Sequence, residues 1–136
     1  MGKRKGWARD SCSTERALTA EVFEMKKIEA IIRPERLNQV KAALEAVDIR
    51  GMTVQEVRGR GEQKGLEFIN RAGKYRVDML PKSLLMLVVG EREVNVAVKA
   101  IVESARTGEM GDGKIFISEV RRCIRIRTGE ENTNAL

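Results

Sequence analysis

The sequence predicts an α+β domain in the ferredoxin-like βαββαβ order, with two strand–helix–strand units sharing one sheet. Three observations carry this prediction. Segments in which apolar residues alternate are followed by segments in which they recur every three or four residues. This pair of patterns occurs twice along the chain. The two units also end alike: "GMTVQEVR" (51–58) and "GKIFISEVR" (113–121) both open on Gly and close on Glu-Val-Arg. With right-handed crossovers, that order folds as a split βαβ sandwich.

The elements follow in sequence. "KIEAII" places Ile28, Ala30 and Ile32 on one face of a first strand. Pro34 suits the first position of a helix, where a missing N–H is harmless. Leu37, Val40, Leu44 and Val47 then form one apolar helical stripe. "MTVQEV" is the second strand. Gly59 to Pro81 shows no convincing period, is rich in Gly and is strongly basic, which predicts a long mobile recognition loop between strands two and three. "SLLMLVV" is the third strand and is apolar on both faces. Two helices cover only one face of a four-stranded sheet, so the other face predicts self-association. Val94, Val98, Ile101 and Ala105 mark the second helix, with Gly108 as its C-terminal cap. "KIFISEV" is the fourth strand.

At 136 residues the chain suits one domain, 25–136, preceded by an extension, 1–24, of mixed charge and no period. Apolar residues make up 42% and charged residues 34%, a globular rather than disordered balance. No apolar run is long enough to cross a bilayer, and no signal-peptide stretch opens the chain. The two cysteines, Cys12 and Cys123, form no CxxC pair. A cytoplasmic setting is therefore expected. Histidine is absent, which removes the commonest general base and metal ligand. No nucleophile–base pair stands out, so an enzyme is not expected.

The formal charge of +6 points to an anionic partner. One basic cluster spans Arg58 to Arg76. Another comprises Lys114, Arg121, Arg122, Arg125 and Arg127. A nucleic-acid-binding ferredoxin-like module is one outcome of such charge. With aromatics at 4%, the first and third strands lack the stacking residues that an RNA-binding sheet uses.

"TGEMGDGKIF" (107–116) nearly spells a phosphate-binding P-loop, with Gly108, four residues, Gly113 and Lys114. Ile115 replaces the expected Ser or Thr, and the order is helix, loop, strand, the reverse of a true P-loop. Gly111 and Gly113 still allow backbone amides to approach an anion, and Lys114 adds charge. A plain Gly-rich turn is the alternative. "CIRIRTG" alternates, so an extended chain puts Arg125 and Arg127 on one face, about 7 Å apart, with Ile124 and Ile126 anchoring the other. Paired arginines suit a polyphosphate, or equally a solvated edge strand. Gln63 has a carbonyl oxygen of the kind magnesium accepts. Lys82 can meet a carboxylate, and Tyr75 is the only tyrosine.

Taken together, "MKKIEAIIRPERLNQVKAAL", "GMTVQEVRGRGEQKG", "YRVDMLPK", "ARTGEMGDGKIF" and "IRIRTGEE" resemble the PII family of nitrogen-regulatory signal-transduction proteins, from Met25 to about Glu131. The resemblance implies a homotrimer with nucleotide sites between subunits. It implies that ATP and ADP compete there, and that 2-oxoglutarate binds with Mg-ATP. In that family pattern Gly111, Asp112, Gly113, Lys114, Arg125 and Arg127 line the phosphates, Thr53 lies near the ribose or base, and Gly61 and Gln63 complete the nucleotide site. Gln63 ligates magnesium. Lys82 pairs with a 2-oxoglutarate carboxylate beside Gln63, Lys64, Gly65 and the backbone of Gly61. Tyr75 matches a tyrosine that is nucleotidylylated in some bacterial members. The implied partners are an ammonium transporter and enzymes or regulators of nitrogen assimilation. The chain departs from the pattern at Glu62, often Arg in the family, and at Met86, usually acidic. It also departs at "LEFINRAGKY", where the common loop reads "HTELYRGAEY".

Overall fold

The computed structural model describes residues 24–61 and 66–136, with the backbone alone for 66–68 and 75–77. Residues 1–23 of the expected extension, and Glu62, Gln63, Lys64 and Gly65, lie outside the described residues.

Strand β1 (Met25–Ile32) leads through a 3-10 turn at Pro34–Arg36 into helix α1 (Leu37–Ala46). Then come β2 (Thr53–Gly59), β3 (Leu66–Asn70), β4 (Gly73–Val77) and β5 (Leu80–Gly90). A second 3-10 turn opens α2 (Val94–Ala105), and β6 (Lys114–Val120) closes the domain. The main sheet runs β2-β5-β1-β6 with every neighbour antiparallel, which is the ferredoxin-like order.

The register sorts the side chains by face. Ile28, Ala30 and Ile32 of β1 lie beside Leu87, Leu85 and Ser83 of β5. All are buried under Val40 and Leu44 of α1 and Ala97 and Ile101 of α2. Each fully buried Leu or Ile contributes about 1.5–3 kcal/mol over an exposed one, so this layer dominates stability. The opposite face carries Lys27, Glu29 and Ile31, then Val88, Met86 and Leu84, then Thr53 and Gln55, with Phe116 beside Glu29. Among the described residues nothing packs on it, and Phe116 is 52% exposed.

Several expectations are corrected. Residues 59–81 are not one irregular loop: β3 and β4 pair as a hairpin across Arg71 and Ala72. Strand β5 begins at Leu80, taking in Pro81 and Lys82. Pro34 opens the 3-10 turn, and the α-helix starts at Leu37. Val47 falls past the helix end and is exposed. Gly108 does not cap α2: Arg106 is already extended, with ψ 130°, and turns the chain two residues earlier. The segment after Val120 is not an extended strand. Residues 126–128 turn, Ile124 meets Glu131 in one isolated bridge, and Ile126 is fully exposed, so neither isoleucine anchors a face.

Candidate functional site

The turn between α2 and β6 is built around the carboxylate of Asp112. The amides of Thr107 and Gly108 each donate to its Oδ2 at 2.9 Å, and the Thr107 hydroxyl donates to Oδ1. Arg33 Nε donates to Oδ1 at 3.1 Å. These donors, the Thr107 hydroxyl foremost, together outweigh the opposing effect of burial and hold the Asp112 carboxyl well below the usual carboxylate range. Asp112 therefore braces the turn from within. Glu109 N is also used internally, on Thr107 Oγ1. An outside anion would have to be met by the later amides, at Gly111 and Gly113, both at positive φ.

Two cations from elsewhere in the fold fix the outer rim. Arg33 precedes Pro34, which confines it to extended backbone at the end of β1, with ψ 135°. From there Nη2 reaches the carbonyl of Met110 at 2.5 Å. Lys82 of β5 donates to the Gly111 carbonyl at 2.7 Å. Burial, then the nearby Arg33 charge, lowers the Lys82 pKa, partly offset by Glu35 and Asp112. Behind the turn, Arg36 donates twice to the Ser104 carbonyl, at 2.9 and 2.6 Å, and so satisfies the last turn of α2. Arg33 does not stand out in the sequence as a site residue. Its partner Asp112 is 79 residues away, and no local pattern announces such a pair.

Gly111, Asp112, Gly113, Lys114 and Lys82 thus gather at one corner. Lys114 opens β6 opposite Ile31, on the sheet face that the helices leave uncovered. A cavity of about 390 Å³ lies on the other face, between α2 and β6. Its walls are mainly apolar, with Val98, Ile101, Val102, Ile115 and Ile117, but its rim is shared with the cationic corner through Arg106, Asp112, Gly113 and Lys114.

The remaining predicted residues lie elsewhere in the chain. Thr53 is on edge strand β2 and Lys114 on the opposite edge, β6. Three inter-strand steps and a two-residue offset along the strands, since Thr53 is level with Phe116, separate them by about 16 Å. Arg125 and Arg127 follow the far end of β6, whose seven residues put about 20 Å between the glycine turn and the start of that segment. Arg125 is half-buried and ion-paired to Glu130; Arg127 is exposed. Gly61 is exposed, and Met86 is half-buried across from Thr53 and Glu29. Tyr75 lies in β4 opposite Phe68. Gln63, Lys64 and Gly65, the magnesium and acid-binding candidates, lie outside the described residues. Among the described residues no cluster of His, Cys, Asp or Glu could hold a metal, and no helix is long and apolar enough to cross a membrane.

The fold and this corner define a ferredoxin-like α+β domain with a braced, cation-rimmed glycine turn on its last crossover. The sequence model of the family described as Nitrogen regulatory protein P-II matches residues 25–130. The chain is 54% identical over 112 residues to Nitrogen regulatory protein P-II 2 of Methanothermobacter thermautotrophicus, covering 82% of this chain and 97% of that one. It is 54% identical to Nitrogen regulatory protein P-II of Pasteurella multocida, covering 82% of this chain and all of that one. Among solved structures, Arabidopsis thaliana PII bound to citrate superimposes with a TM-score of 0.68 at 39% identity, covering 82% of this chain and 89% of that one. The chain belongs to the nitrogen regulatory protein P-II family.

Proposed function

We propose that this P-II protein is a non-enzymatic sensor that binds ATP or ADP and, together with Mg-ATP, 2-oxoglutarate. The separation of the cationic groups along β6 carries this reading. Gly111, Gly113 and Lys114 stand at one end of the strand, and Arg125 and Arg127 follow the other. A single phosphate chain meets both sets only where two protomers abut. The uncovered sheet face, with Ile31, Leu84, Met86, Val88 and Phe116, supplies a reason for them to do so. The assembly proposed is a homotrimer with one nucleotide cleft at each subunit seam.

In each cleft Lys114 and the arginines neutralise much of the triphosphate charge. Thr53 approaches the ribose or base, and the backbone of Gly61 lines the pocket. Gln63 ligates magnesium. Lys82 leaves the Gly111 carbonyl to pair with a 2-oxoglutarate carboxylate, while Lys64 and Gly65 close around the acid. ADP lacks the γ-phosphate and leaves the acid's site incomplete. The ligand state then biases the segment 59–81, which carries Tyr75 as a modification site. An ammonium transporter, or an enzyme or regulator of nitrogen assimilation in the cytoplasm, responds to that population shift.

Titration calorimetry with 2-oxoglutarate, with and without Mg-ATP, tests the coupling. Binding is expected only with Mg-ATP; equally tight binding without it would overturn the scheme. Light scattering should give three times the 15.3 kDa chain mass, and a monomer at micromolar concentration would remove the shared cleft.

A further inference from the structure

Beyond Val120 the chain folds back on its own arginines. Gly129, at φ +73°, and Asn132, at φ +56°, provide the reversals. Gly129 N donates to Arg125 O at 2.8 Å, Arg125 N to Glu130 O at 2.9 Å, and Asn132 N to Cys123 O at 2.7 Å. This closure sets two consecutive acids against two arginines. Arg122 Nη2 lies 2.6 Å from Glu131 Oε1, and Arg125 Nη1 lies 3.3 Å from Glu130 Oε1. The other outer nitrogen of Arg125, Nη2, donates to Leu136 O at 3.0 Å. Both prongs of the Arg125 fork therefore already hold acceptors from the same chain. These are the atoms that would grip two phosphate oxygens.

We propose that Glu130 and Glu131 are an internal stand-in for phosphate, which a bound nucleotide must displace from Arg125 and Arg122. This rests on the assignment of Arg125 to phosphate binding made above. The pair then acts as a threshold. A carboxylate brings one charge to each arginine, and a triphosphate brings about four, so the strap yields to ATP and resists singly charged anions. Displacement also frees residues 130–136, which coordinates the tail with the nucleotide state. Both ion pairs are substantially exposed, with side-chain exposures of 36–67%. Their combined effect on affinity is therefore modest, about two- to tenfold.

The test compares the full chain with the double variant Glu130→Gln, Glu131→Gln, which keeps side-chain shape and removes charge. ATP affinity is measured by calorimetry at low and high salt, and carboxypeptidase release of the tail is followed with and without ATP. The variant should bind ATP two- to tenfold more tightly at low salt, and salt should shrink the gap. ATP should speed tail release in the unsubstituted chain, while the variant should be fast from the start. Equal or weaker ATP binding by the variant, with the unsubstituted chain still binding, overturns the strap and leaves the phosphate assignment standing. No ATP binding by either protein overturns both.

Discussion

Gly113 packs its α-carbon against the main-chain carbonyl of Ile31. A Cβ at this position would stand 1.7 Å from the Ile31 oxygen and 2.8 Å from its carbon. The same glycine sits at φ +104°, so two independent restrictions exclude a side chain where the turn meets β1. Gly113→Ala is expected to cost about 3 kcal/mol or more, because backbone atoms of the central strand cannot step aside. Gly108 is the control. It sits at φ +89°, but a Cβ added there would meet nothing within 4 Å. Gly108→Ala should cost only the left-handed penalty of about 1–2 kcal/mol. Urea unfolding measures both, and equal costs would show that the approach to Ile31 is not what requires glycine.

The Asp112 carboxylate should confer a pH dependence on stability. Its donors, led by the Thr107 hydroxyl and joined by the amides of Thr107 and Gly108 and by Arg33, all favour the charged form. The folded-state pKa thus lies below the unfolded value near 3.8. In the interval between them the unfolded chain binds more protons, so stability rises with pH. The stabilisation is present in full above that unfolded value and is lost as pH falls through it towards the folded one. Asp112→Asn should be less stable than the parent at pH 7, and the gap should narrow as pH drops from about 5 towards 2. Denaturant titrations at several pH values check this. A gap that stays constant with pH would mean that the brace acts through shape, not charge.

The parts of the fold governed by period were readable in the sequence. Ile28, Ala30 and Ile32 alternate because β1 has one face under the helices, and β6 spans Lys114–Val120 as its alternation predicts. The hairpin of β3 and β4 was not readable. Its two-residue connection, Arg71-Ala72, carries no Asn-Gly or Asp-Gly signal, and Ile69 stands next to Phe68, out of alternation. The C-terminal stretch misled for the opposite reason. Ile124 and Ile126 do alternate, but β6 ends at Val120 and no strand among the described residues is there to receive them; Gly129 turns the chain back instead. At the candidate site, the glycines and Lys114 were legible as a local motif. The link between Arg33 and Asp112 was not, since it depends on the end of β1 meeting a turn 79 residues later.

Core truncations should separate the true helical stripe from its apparent continuation. Leu44 is fully buried between α1 and the sheet, whereas Val47, next in the same sequence period, is 39% exposed beyond the helix end. Leu44→Ala should destabilise by about 2–5 kcal/mol through lost burial and a residual cavity. Val47→Ala should stay within about 0.5 kcal/mol. Thermal or urea unfolding distinguishes them. Comparable losses would place Val47 under a neighbouring protomer, not in solvent.

The two ends of β6 carry different phosphate-binding candidates. Lys114 opens the strand, and Arg127 comes seven residues after its last residue, Val120. If the proposed cleft takes its phosphate contacts from both, each must come from a different protomer. Lys114→Gln or Arg127→Gln should each weaken ATP by about 10- to 100-fold, the loss expected for one charge-assisted hydrogen bond. Refolding the two variants together at equal concentration should then regenerate some intact clefts, those pairing an unaltered Lys114 from one chain with an unaltered Arg127 from its neighbour. Random assembly of a cyclic trimer makes these about a quarter of all clefts. Calorimetry on the mixture should show that fraction binding with parental affinity. Contacts contributed by one chain alone would give no recovery, because every protomer in the mixture carries one substitution or the other.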